Sequence, residues 1–508
     1  MTVPANIGDA ISEARPDAPA ITETGGRSAT YGELRALIAH AQAGLRSHGI
    51  AAGDHVAIIG LNSIDWVVAF YAVMRSGAVA VPVSRKFPGP VLSYVLENSR
   101  ARLVVTDRPG RVPEDSAVPV LGLDELGPAG GPDGGVAEVQ PEDPAMVLYT
   151  SGSTGQPKGV VRSHGSHAWI MEQGESAAGD AFRTIIVAAP LFHMNGLATV
   201  QGALLHGDHL ILQPAFEPRG FLRALAEHRV TRTTGVPPMM ALALREKDLL
   251  AELDLSSVEE HLFGSAPLTD ALIDDIEAAF PRARLAISYG TTETGPVAFA
   301  PHPDGRPTPK NSVGVAHPEV RVRLLDSAGR VLVSDGKDSA GVPQGEAVGN
   351  LALASPAELT LYLGRPDLVR PIDADGFYVT GDLFRRDSDG FFYFTGRVDD
   401  MFVSGGDNVH PSAVEKALEE HDYVKEAAVV PVPDDLKGAK PVAFVVRQPG
   451  SAVTETELKS WALDRMEPYA HPRRVFFVDS LPLSGTNKVD KGALAARAAE
   501  LAKGGSDA

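Results

Sequence analysis

The sequence has no cysteine among its 508 residues. This absence excludes a disulfide framework, a thiolate metal site and a cysteine nucleophile together. No apolar run approaches the roughly 20 residues needed to span a bilayer. The first twenty residues have neither a basic start nor an apolar segment of the secretory kind. We therefore expect a cytoplasmic protein that is not bound to a membrane.

Basic residues are also scarce. Lys and Arg number 46 against 65 Asp and Glu, which gives a formal net charge of −19 at pH 7. Such a balance disfavours nonspecific binding to nucleic acid or to anionic lipid. A polyanionic ligand would have to be held by local geometry and by a metal ion.

Length and hydrophobic pattern predict an α/β protein with at least two domains. The chain exceeds the roughly 250–300 residues at which single cores stop growing. Apolar runs typical of strands alternate with helical patterns, as in HVAIIG (55–60) followed by SIDWVVAFYAVMRSG (63–77). The alternation predicts a parallel sheet covered by helices on both faces, which would bind ligands beyond the carboxyl ends of its strands.

Glycine is concentrated in YTSGSTGQPKG, at positions 149 to 159. Successive N–H groups converge on phosphate oxygens only where no Cβ intervenes, so this segment predicts an anion-binding loop. It is not a Walker A loop, because Lys158 is followed by glycine. A flexible linker is disfavoured, because the segment directly follows the apolar run AMVLYT. The candidate phosphate-binding residues are Thr150, Ser151, Gly152, Ser153, Thr154, Gly155 and Lys158.

Two further segments carry groups suited to a nucleotide. SYGTTETG (288–295) offers an aromatic face for a base, hydroxyls for phosphate and one carboxylate for Mg²⁺, which commonly takes just one or two protein carboxylates. Asp382 can accept both hydroxyls of a ribose, and Arg397 can bridge ribose and phosphate. Each segment by itself is equally typical of a capped turn.

Six motifs in one order resemble the adenylate-forming superfamily of acyl- and aryl-CoA synthetases, amino-acid adenylation domains and beetle luciferases. They are YTSGSTGQPKG, GSAPL (264–268), YGTTETG, TGD (380–382), GRVDDMFVSGGDNVHP (396–411) and LPLSGTNKVDK (481–491). The resemblance covers nearly the whole chain, and the RVDDMFVSGGDNVHP loop and the asparagine in TNKV look most like benzoate-type aryl-CoA ligases.

The resemblance implies specific contacts with ATP. Thr154 would hold the β- and γ-phosphates, Tyr289 would stack on the purine, Thr292 would contact the α-phosphate and Glu293 would bind Mg²⁺, while Asp382 and Arg397 would bind the ribose. The adenine site would be lined by the backbone of Gly264, Ser265 and Ala266. The remaining implied contacts are Ser288, Gly290 and Thr291.

The resemblance also implies a moving domain. A large N-terminal domain (1–396) of α/β-covered sheets would bind ATP and the acid, and a small α+β domain (402–508) would rotate about a hinge (397–401) with Asp400 as its pivot. Lys488 of the small domain would bridge the substrate carboxylate and the α-phosphate. After rotation the 396–411 loop would replace Lys488, and CoA would enter.

The acid pocket is expected around PLFHMNGL (190–197) and TGVPPMM (234–240). The candidate residues are His193, Met194, Asn195, Gly196 and Met239, and His193 stands where relatives gate the pocket. No aspartate cluster suggests an amino-acid ammonium, so the expected substrate is a small aromatic or short acyl acid. Two segments depart from the family pattern, GEAVGNLALASP (345–356) and SPAELTLYLGRPDLVRP (355–371), and both are expected to lie away from the phosphates.

Two other interpretations remain open. An enzyme of the same kind could deliver the acyl group to a carrier-protein pantetheine, or could activate another oxyanion such as nitrite. A protein of another class would bind ATP without turning it over, as a regulator. The lysine that bridges the carboxylate argues against the regulator, because a sensor has no need of it. The oligomeric state is not readable from the sequence.

Overall fold

The structure of the protein is a computed structural model. It describes residues 3–13, 15–113, 116–126, 135–150, 157–173, 182–266, 268–334, 337–338, 347–365, 372–398, 400–404, 407–434, 438–466, 468–484 and 488–504. Within these ranges no helix is both long enough and apolar enough to cross a membrane.

Local sequence signals determine where many helices begin. Thr30 caps the first helix by accepting from the Glu33 amide, while the Glu33 carboxylate accepts from the Thr30 amide at 2.8 Å. The same reciprocal arrangement joins Thr454 and Glu457. Each capping box satisfies two amides that the helix itself leaves without a partner. The helices are α1 (Tyr31–Ser47), α2 (Ile64–Arg75), α3 (Gly89–Ser99), α4 (His164–Glu172), α5 (Met194–His206), α6 (Pro218–Glu227), α7 (Pro237–Ala243), α8 (Lys247–Glu252), α9 (Asp270–Ala279), α10 (Pro411–Glu419), α11 (Glu455–Leu463) and α12 (Lys491–Gly504).

The strands are short and numerous. They are β1 (Pro19–Glu23), β2 (Ser28–Thr30), β3 (His55–Ile59), β4 (Val79–Val83), β5 (Leu103–Thr106), β6 (Val120–Gly122), β7 (Pro144–Thr150), β8 (Lys158–Ser163), β9 (Thr184–Val187), β10 (His209–Leu212), β11 (Arg232–Gly235), β12 (Glu260–Phe263), β13 (Arg284–Ile287), β14 (Phe299–Ala300), β15 (Ser312–Ala316), β16 (Arg321–Leu325), β17 (Val331–Ser334), β18 (Lys337–Asp338), β19 (Val348–Ala354), β20 (Leu361–Tyr362), β21 (Tyr378–Arg386), β22 (Phe392–Arg397), β23 (Phe402–Ser404), β24 (Asp407–Val409), β25 (Val424–Asp434), β26 (Gly438–Arg447) and β27 (Arg474–Phe477).

The chain divides into two compact units. The first comprises Met1–Ser265, Ala279–Phe299 and Ala354–Tyr378, and the second comprises Ala266–Ala278, Ala300–Leu353 and Val379–Ala508. The predicted boundary at 397–401 concerns motion of a small domain, and it stays a prediction.

The first unit is built on two seven-stranded sheets. One has the strand order β13-β12-β11-β9-β10-β1-β2 and the other β20-β8-β7-β4-β3-β5-β6. Strands β3 to β5 and β9 to β13 pair in parallel within their sheets, as the alternation with helices predicted. The central strands are buried along their whole length, as β4 shows, which is why their sequences are almost continuously apolar.

The predicted α/β fold of helix-covered sheets is confirmed, and the structure adds two details. The alternating segments form two sheets, and β7 and β8 form an antiparallel hairpin around the glycine-rich segment, with Thr150 paired to Lys158. The segment 116–126 contributes β6 to the edge of its sheet. Short apolar runs do not reveal to which sheet a strand belongs, because that choice depends on packing between distant segments.

The second unit contains a mixed sheet and a smaller sheet. The mixed sheet has the order β14-β15-β22-β21-β19-β16-β17-β18, and most of its strands went unpredicted. The smaller sheet joins β23, β24, β25, β26 and β27, with β25 and β26 as a long antiparallel pair. Beyond residue 411 the chain alternates helices with strands, as α10, β25, β26 and α11 show.

Candidate active site

Four neighbouring strand ends bring most of the predicted nucleotide and acid residues of the first unit to one sheet edge. Strands β13, β12, β11 and β9 are adjacent and parallel, so their carboxyl ends lie within about 15 Å, given a strand spacing of about 4.8 Å. The segments that follow them begin at Ala188, Val236, Gly264 and Ser288. This is the position at which open α/β sheets bind ligands.

The segment after β13 is a tight turn. Thr291 and Gly295 form an isolated bridge, and the Thr291 hydroxyl accepts from the Thr294 amide at 3.1 Å. A Cβ on Gly290 would lie 2.0 Å from the Gly295 carbonyl oxygen, so only glycine fits. Thr292 and Glu293 lie half-buried at the tip of the turn. The close contact at Gly290 restricts movement of their backbone.

The Glu293 carboxylate meets two tyrosines that sequence reasoning missed. The Tyr362 hydroxyl donates to Glu293 Oε1 at 3.2 Å, and the Tyr378 hydroxyl lies 3.4 Å from that of Tyr362. Burial, reinforced by the Glu293 charge, raises the pKa of Tyr362 to about 12 and also raises that of Tyr378. Both phenols therefore stay protonated at neutral pH, and Tyr362 is the one that donates to the carboxylate.

The two segments that depart from the family pattern contact predicted nucleotide residues, and their expected distance from the phosphates stays a prediction. Tyr362 belongs to the second segment and touches Glu293. Asn350, in the first, accepts a hydrogen bond of 3.1 Å from the Gly381 amide in the TGD motif. The departures therefore support the predicted nucleotide residues directly.

The predicted adenine-site segment has an unusual backbone. Ser265 adopts φ +67°, a left-handed conformation that L-residues other than glycine rarely adopt. Such strain recurs at ligand sites, where the surrounding structure holds it in place. Gly264 is closely approached, since a Cβ there would lie 2.8 Å from the Ser288 hydroxyl. Ala266, the third predicted residue, is half-buried and belongs to the second unit.

The predicted acid-pocket residues lie at the start of α5 and α7. Asn195 Oδ1 accepts from the Thr234 hydroxyl at 2.9 Å. His193 precedes α5, with its ring 4.4 Å from that of Phe192. Gly196 permits close backbone contact, because a Cβ would lie 2.9 Å from the Ala189 carbonyl oxygen. Met194 and Met239 are buried at 9% and 4% exposure, so both belong to the core as much as to a pocket.

The central part of the glycine-rich loop lies outside the described residues. This applies to Ser151, Gly152, Ser153, Thr154 and Gly155. Its two ends are paired in the β7–β8 hairpin, and the Lys158 ammonium lies 5.8 Å from the centre of the Tyr362 ring. Lys158 and the Glu293 turn therefore share Tyr362 as a neighbour.

In the second unit, Asp382 and Arg397 face each other across paired strands β21 and β22. Arg397 donates to Asp382 Oδ1 at 2.7 Å, and the Asp382 side chain is 7% exposed against 43% for Arg397. Gly381 makes this local geometry possible, because its φ of +77° is left-handed. The two predicted ribose ligands are thus adjacent and oppositely charged.

Lys488 lies in the segment before α12, where the Ser484 amide donates to its carbonyl at 2.7 Å. The residue as a whole is exposed, yet its ammonium group is desolvated by surrounding protein. This desolvation lowers the pKa of Lys488, while the Asp382 carboxylate raises it and Arg397 lowers it. Three predicted residues of the second unit are therefore electrostatically coupled.

The predicted pivot Asp400 is joined to the start of α12. The Lys491 ammonium lies 3.7 Å from the Asp400 carboxylate and 3.0 Å from that of Glu415 on α10. Sequence reasoning missed Lys491, because a lysine at the start of a helix is usually a solvated charge.

No group of three or more His, Asp or Glu side chains that could hold a metal occurs in the described part of the chain. A protein-only metal cage is therefore absent from those residues. A Mg²⁺ ion shared with phosphates needs only one or two carboxylates. Glu293, with Oε1 already oriented by Tyr362, fits that more modest requirement.

Two family models match the sequence. The AMP-binding enzyme model matches residues 9–362, and the model of the AMP-binding enzyme C-terminal domain matches residues 413–488. The chain belongs to the AMP-binding enzyme family. The predicted adenylate-forming superfamily and its fold class are thereby confirmed.

Individual members of the family are similar over almost their full length. A feruloyl-CoA synthase of an Amycolatopsis species is 33% identical over 485 residues, covering 92% of this chain and 94% of the relative. The fatty acid–[acyl-carrier-protein] ligase ScoC of Streptomyces coeruleorubidus is 31% identical over 496 residues, covering 91% and 90%. The crystal structure of the anthranilate CoA ligase AuaEII with anthranoyl-AMP has a TM-score of 0.84 at 25% identity and covers 98% of both chains.

Family membership supports the predicted enzyme class, an AMP-forming acyl- or aryl-CoA ligase that uses ATP, a carboxylic acid and CoA.

Proposed function

We propose that the protein adenylates a compact aromatic carboxylic acid that has a hydrogen-bond acceptor on its ring, and then transfers the acyl group to CoA. The observation on which the substrate class rests is the Asn195–Thr234 pair beside Gly264. The bond from Thr234 occupies Asn195 Oδ1, so the amide presents its Nδ2 donor elsewhere. That donor lies 3.1 Å from where a Cβ on Gly264 would be.

Gly264 brings the Asn195 amide and the Ser288 hydroxyl together, since a Cβ at residue 264 would lie 3.1 Å from the first and 2.8 Å from the second. A buried donor rejects ligands that leave it without a partner, often by large factors. Feruloyl-CoA synthase and the anthranilate ligase, both named for aryl acids, agree with this choice.

The nucleotide roles follow the contacts within each unit. Tyr289 would stack on the purine, Thr292 would donate to the α-phosphate and Glu293 would hold Mg²⁺, which neutralises phosphate charge when bound. Asp382 would accept hydrogen bonds from the ribose hydroxyls, and Arg397 would hold the Asp382 carboxylate in place through their ion pair. The glycine-rich loop would bind the β- and γ-phosphates.

The chemistry requires a cation between two anions. A carboxylate oxygen attacks the α-phosphorus, a new P–O bond forms, and the bond to the β-phosphate breaks to release pyrophosphate. Lys488 would reduce the repulsion between the two anions and stabilise the charge that develops. The thiol of CoA then attacks the acyl carbon, loses its proton and displaces AMP.

Acid-dependent ATP–pyrophosphate exchange tests this function. We expect hydroxy- and methoxy-substituted benzoates and cinnamates to support more exchange than unsubstituted or aliphatic acids. Asn195→Ala should lower kcat/KM for the best substituted acid about tenfold, as expected for the loss of one hydrogen bond, and should leave the value for the unsubstituted acid nearly unchanged. Thr234→Val is the matched variant, because it removes the hydroxyl that donates to Asn195 Oδ1. The Asn195 amide keeps its donor in this variant but loses the bond that orients it.

Addition of acceptor distinguishes the remaining alternatives. CoA should convert the adenylate to a thioester. If the adenylate is consumed only when a holo carrier protein is present, the acyl acceptor is the pantetheine of that protein. If nitrite alone drives pyrophosphate exchange, the attacking oxyanion is nitrite and not a carboxylate. ATP binding without exchange for any acid would contradict the proposal and favour a regulator. The predicted cytoplasmic location belongs to the proposal and is tested by cell fractionation.

A further inference from the structure

Arg162, on strand β8 of the first unit, is fully buried, with 0% of its surface exposed. It follows the buried residues Val160 and Val161, and every residue of the strand after the first is buried. Burying a guanidinium is costly unless its donors find partners. A position that suits an apolar side chain therefore holds a charge, and its contacts show what that charge does.

The Arg162 guanidinium links two irregular segments. Its Nη1 donates to the Thr292 carbonyl at 2.9 Å, and its Nη2 donates to the Ala357 carbonyl at 2.8 Å. A third bond joins the same segments, because the Leu359 amide donates to the Glu293 carbonyl at 2.7 Å. The backbone of both Thr292 and Glu293 is thus held from behind.

The remaining surroundings offer Arg162 little else. Its Nε has no hydrogen-bond partner among the described residues. His167, buried on α4, interacts electrostatically with it, and burial lowers the pKa of that imidazole to about 3, so the histidine is neutral. Burial lowers the pKa of Arg162 to about 10, and the Glu293 carboxylate offsets part of this effect. The guanidinium therefore stays charged at neutral pH, and Glu293 is the carboxylate that stabilises it.

From these contacts we propose that Arg162 is a positioning residue, which acts through the Thr292–Glu293 turn to hold the groups that bind the α-phosphate and the divalent cation of the nucleotide. Two donors in one rigid plane determine the distance between the turn and the segment around Ala357. A lysine at the same place would keep the charge but could not reach both carbonyls in this geometry. The proposal rests on the proposed function, because that function assigns Thr292 and Glu293 to the nucleotide.

Two variants of Arg162 separate charge from geometry. Arg162→Met removes both donors, and Arg162→Lys keeps the charge with a single donor group. We expect the Met variant to weaken binding of Mn²⁺ with a non-hydrolysable ATP analogue at least tenfold, measured by calorimetry and by the electron paramagnetic resonance of Mn²⁺. The Lys variant should show an intermediate loss. In the exchange assay kcat should fall in the same order, with the KM of the acid nearly unchanged.

Tyr31→Phe is the matched control for stability. Tyr31 is buried in the same unit, and its hydroxyl donates to the Asp208 carbonyl at 2.6 Å. Removing this hydroxyl should lower the unfolding temperature without changing Mn²⁺–nucleotide affinity. A folded Arg162→Met or Arg162→Lys protein with the affinity and kcat of the wild type would overturn the proposal. If the Met variant does not fold, the Lys variant decides the question.

The binding experiment also separates this proposal from the proposed function. Wild-type protein that binds Mn²⁺–nucleotide but exchanges pyrophosphate with no acid would contradict the enzymatic function. Under that outcome the affinity of the Arg162 variants would still test whether the turn is positioned by the guanidinium.

Discussion

Asp382 and Arg397 form an ion pair of 2.7 Å across β21 and β22, and both charges act on Lys488. The ammonium group of Lys488 is desolvated more than Asp382 compensates, so its pKa lies below the usual value of 10.5. The relationship connects the predicted ribose residues to the predicted catalytic group.

Lys488→Ala should abolish acid-dependent ATP–pyrophosphate exchange and leave ATP binding largely intact. The protonated lysine is the form that neutralises charge, so exchange by the wild type should decline at alkaline pH with an apparent pKa below 10.5. Exchange rates from pH 7 to 10.5 and ATP titrations by calorimetry measure both effects. Unchanged exchange in the variant would remove Lys488 from the mechanism.

Gly290→Ala should reduce exchange by about a hundredfold or more, because displacement of catalytic groups by even an ångström has effects of that order. The added Cβ would lie 2.0 Å from the Gly295 carbonyl oxygen and would displace the Thr292–Glu293 turn. Gly202→Ala is the control, since a Cβ on this α5 glycine meets nothing within 4 Å. The control should be stabilised by about 0.5–1 kcal/mol and remain active. Equal activity of the two variants would show that the turn tolerates displacement.

Lys491→Gln should change the ratio of the rates of adenylation and thioester formation about two- to fivefold, the effect expected for a partly exposed ion pair worth about 0.5–1 kcal/mol. The physical reason is that Lys491 joins the predicted pivot Asp400 to Glu415 on α10. Asp400→Asn should shift the ratio in the same direction, and the double variant should add little. Rapid-quench measurement of each half-reaction gives the ratio.

Lys416→Gln is the control for that experiment, because this exposed lysine lies on α10 beside Glu415. It should leave the ratio unchanged. Additive effects of the Lys491 and Asp400 substitutions would show that the ion pair does not couple them.

Glu419→Gln should flatten the pH dependence of stability. Burial, together with nearby carboxylates, raises the pKa of Glu419 to about 8 from 4.5 in the unfolded chain. The folded protein therefore holds a proton that the unfolded chain releases, so this stabilisation is complete below about pH 4.5 and is lost as the pH rises through 8. We expect the wild-type unfolding temperature to fall between pH 5 and 8. The corresponding loss in the free energy of unfolding is up to about a few kcal/mol.

The control for this titration is Glu420→Gln, an exposed glutamate at the end of the same helix. It should keep the pH dependence of the wild type. The Gln variant of Glu419 preserves an acceptor for the Ala427 amide, which donates to the carboxylate at 3.0 Å. An identical slope in the Glu419 variant and the wild type would mean that the carboxyl is ionised when folded.

Several features were readable in the sequence because they depend on neighbouring residues. The capping box of Thr30 and Glu33 begins α1 as its pattern indicates. The helices and strands between 31 and 107 follow from hydrophobic periodicity, since each buries one face or a whole strand. Motif order identified the family, and the groups at Tyr289, Thr292 and Asp382 could be named from it.

Other features depend on residues far apart in the chain. Arg162 is 130 residues from Thr292 and 195 from Ala357, and Tyr362 is 69 residues from Glu293. The partners in each of these contacts lie far apart in the sequence, so no local pattern predicts the contact. The strands of the mixed sheet were missed for the same reason, because β-pairing is decided by packing and register between distant segments.

By itself the sequence determined the alternation of strands and helices, the caps and the chemical groups of six motifs, because these depend on periodicity and on side-chain type. The tertiary structure alone decided that four strand ends meet at one edge, that Tyr362 donates to Glu293 and that a buried arginine holds the turn beside it. Those relationships come from the packing of distant segments. A buried charge or donor without a partner costs free energy, so the folded state is one in which each buried group has a partner.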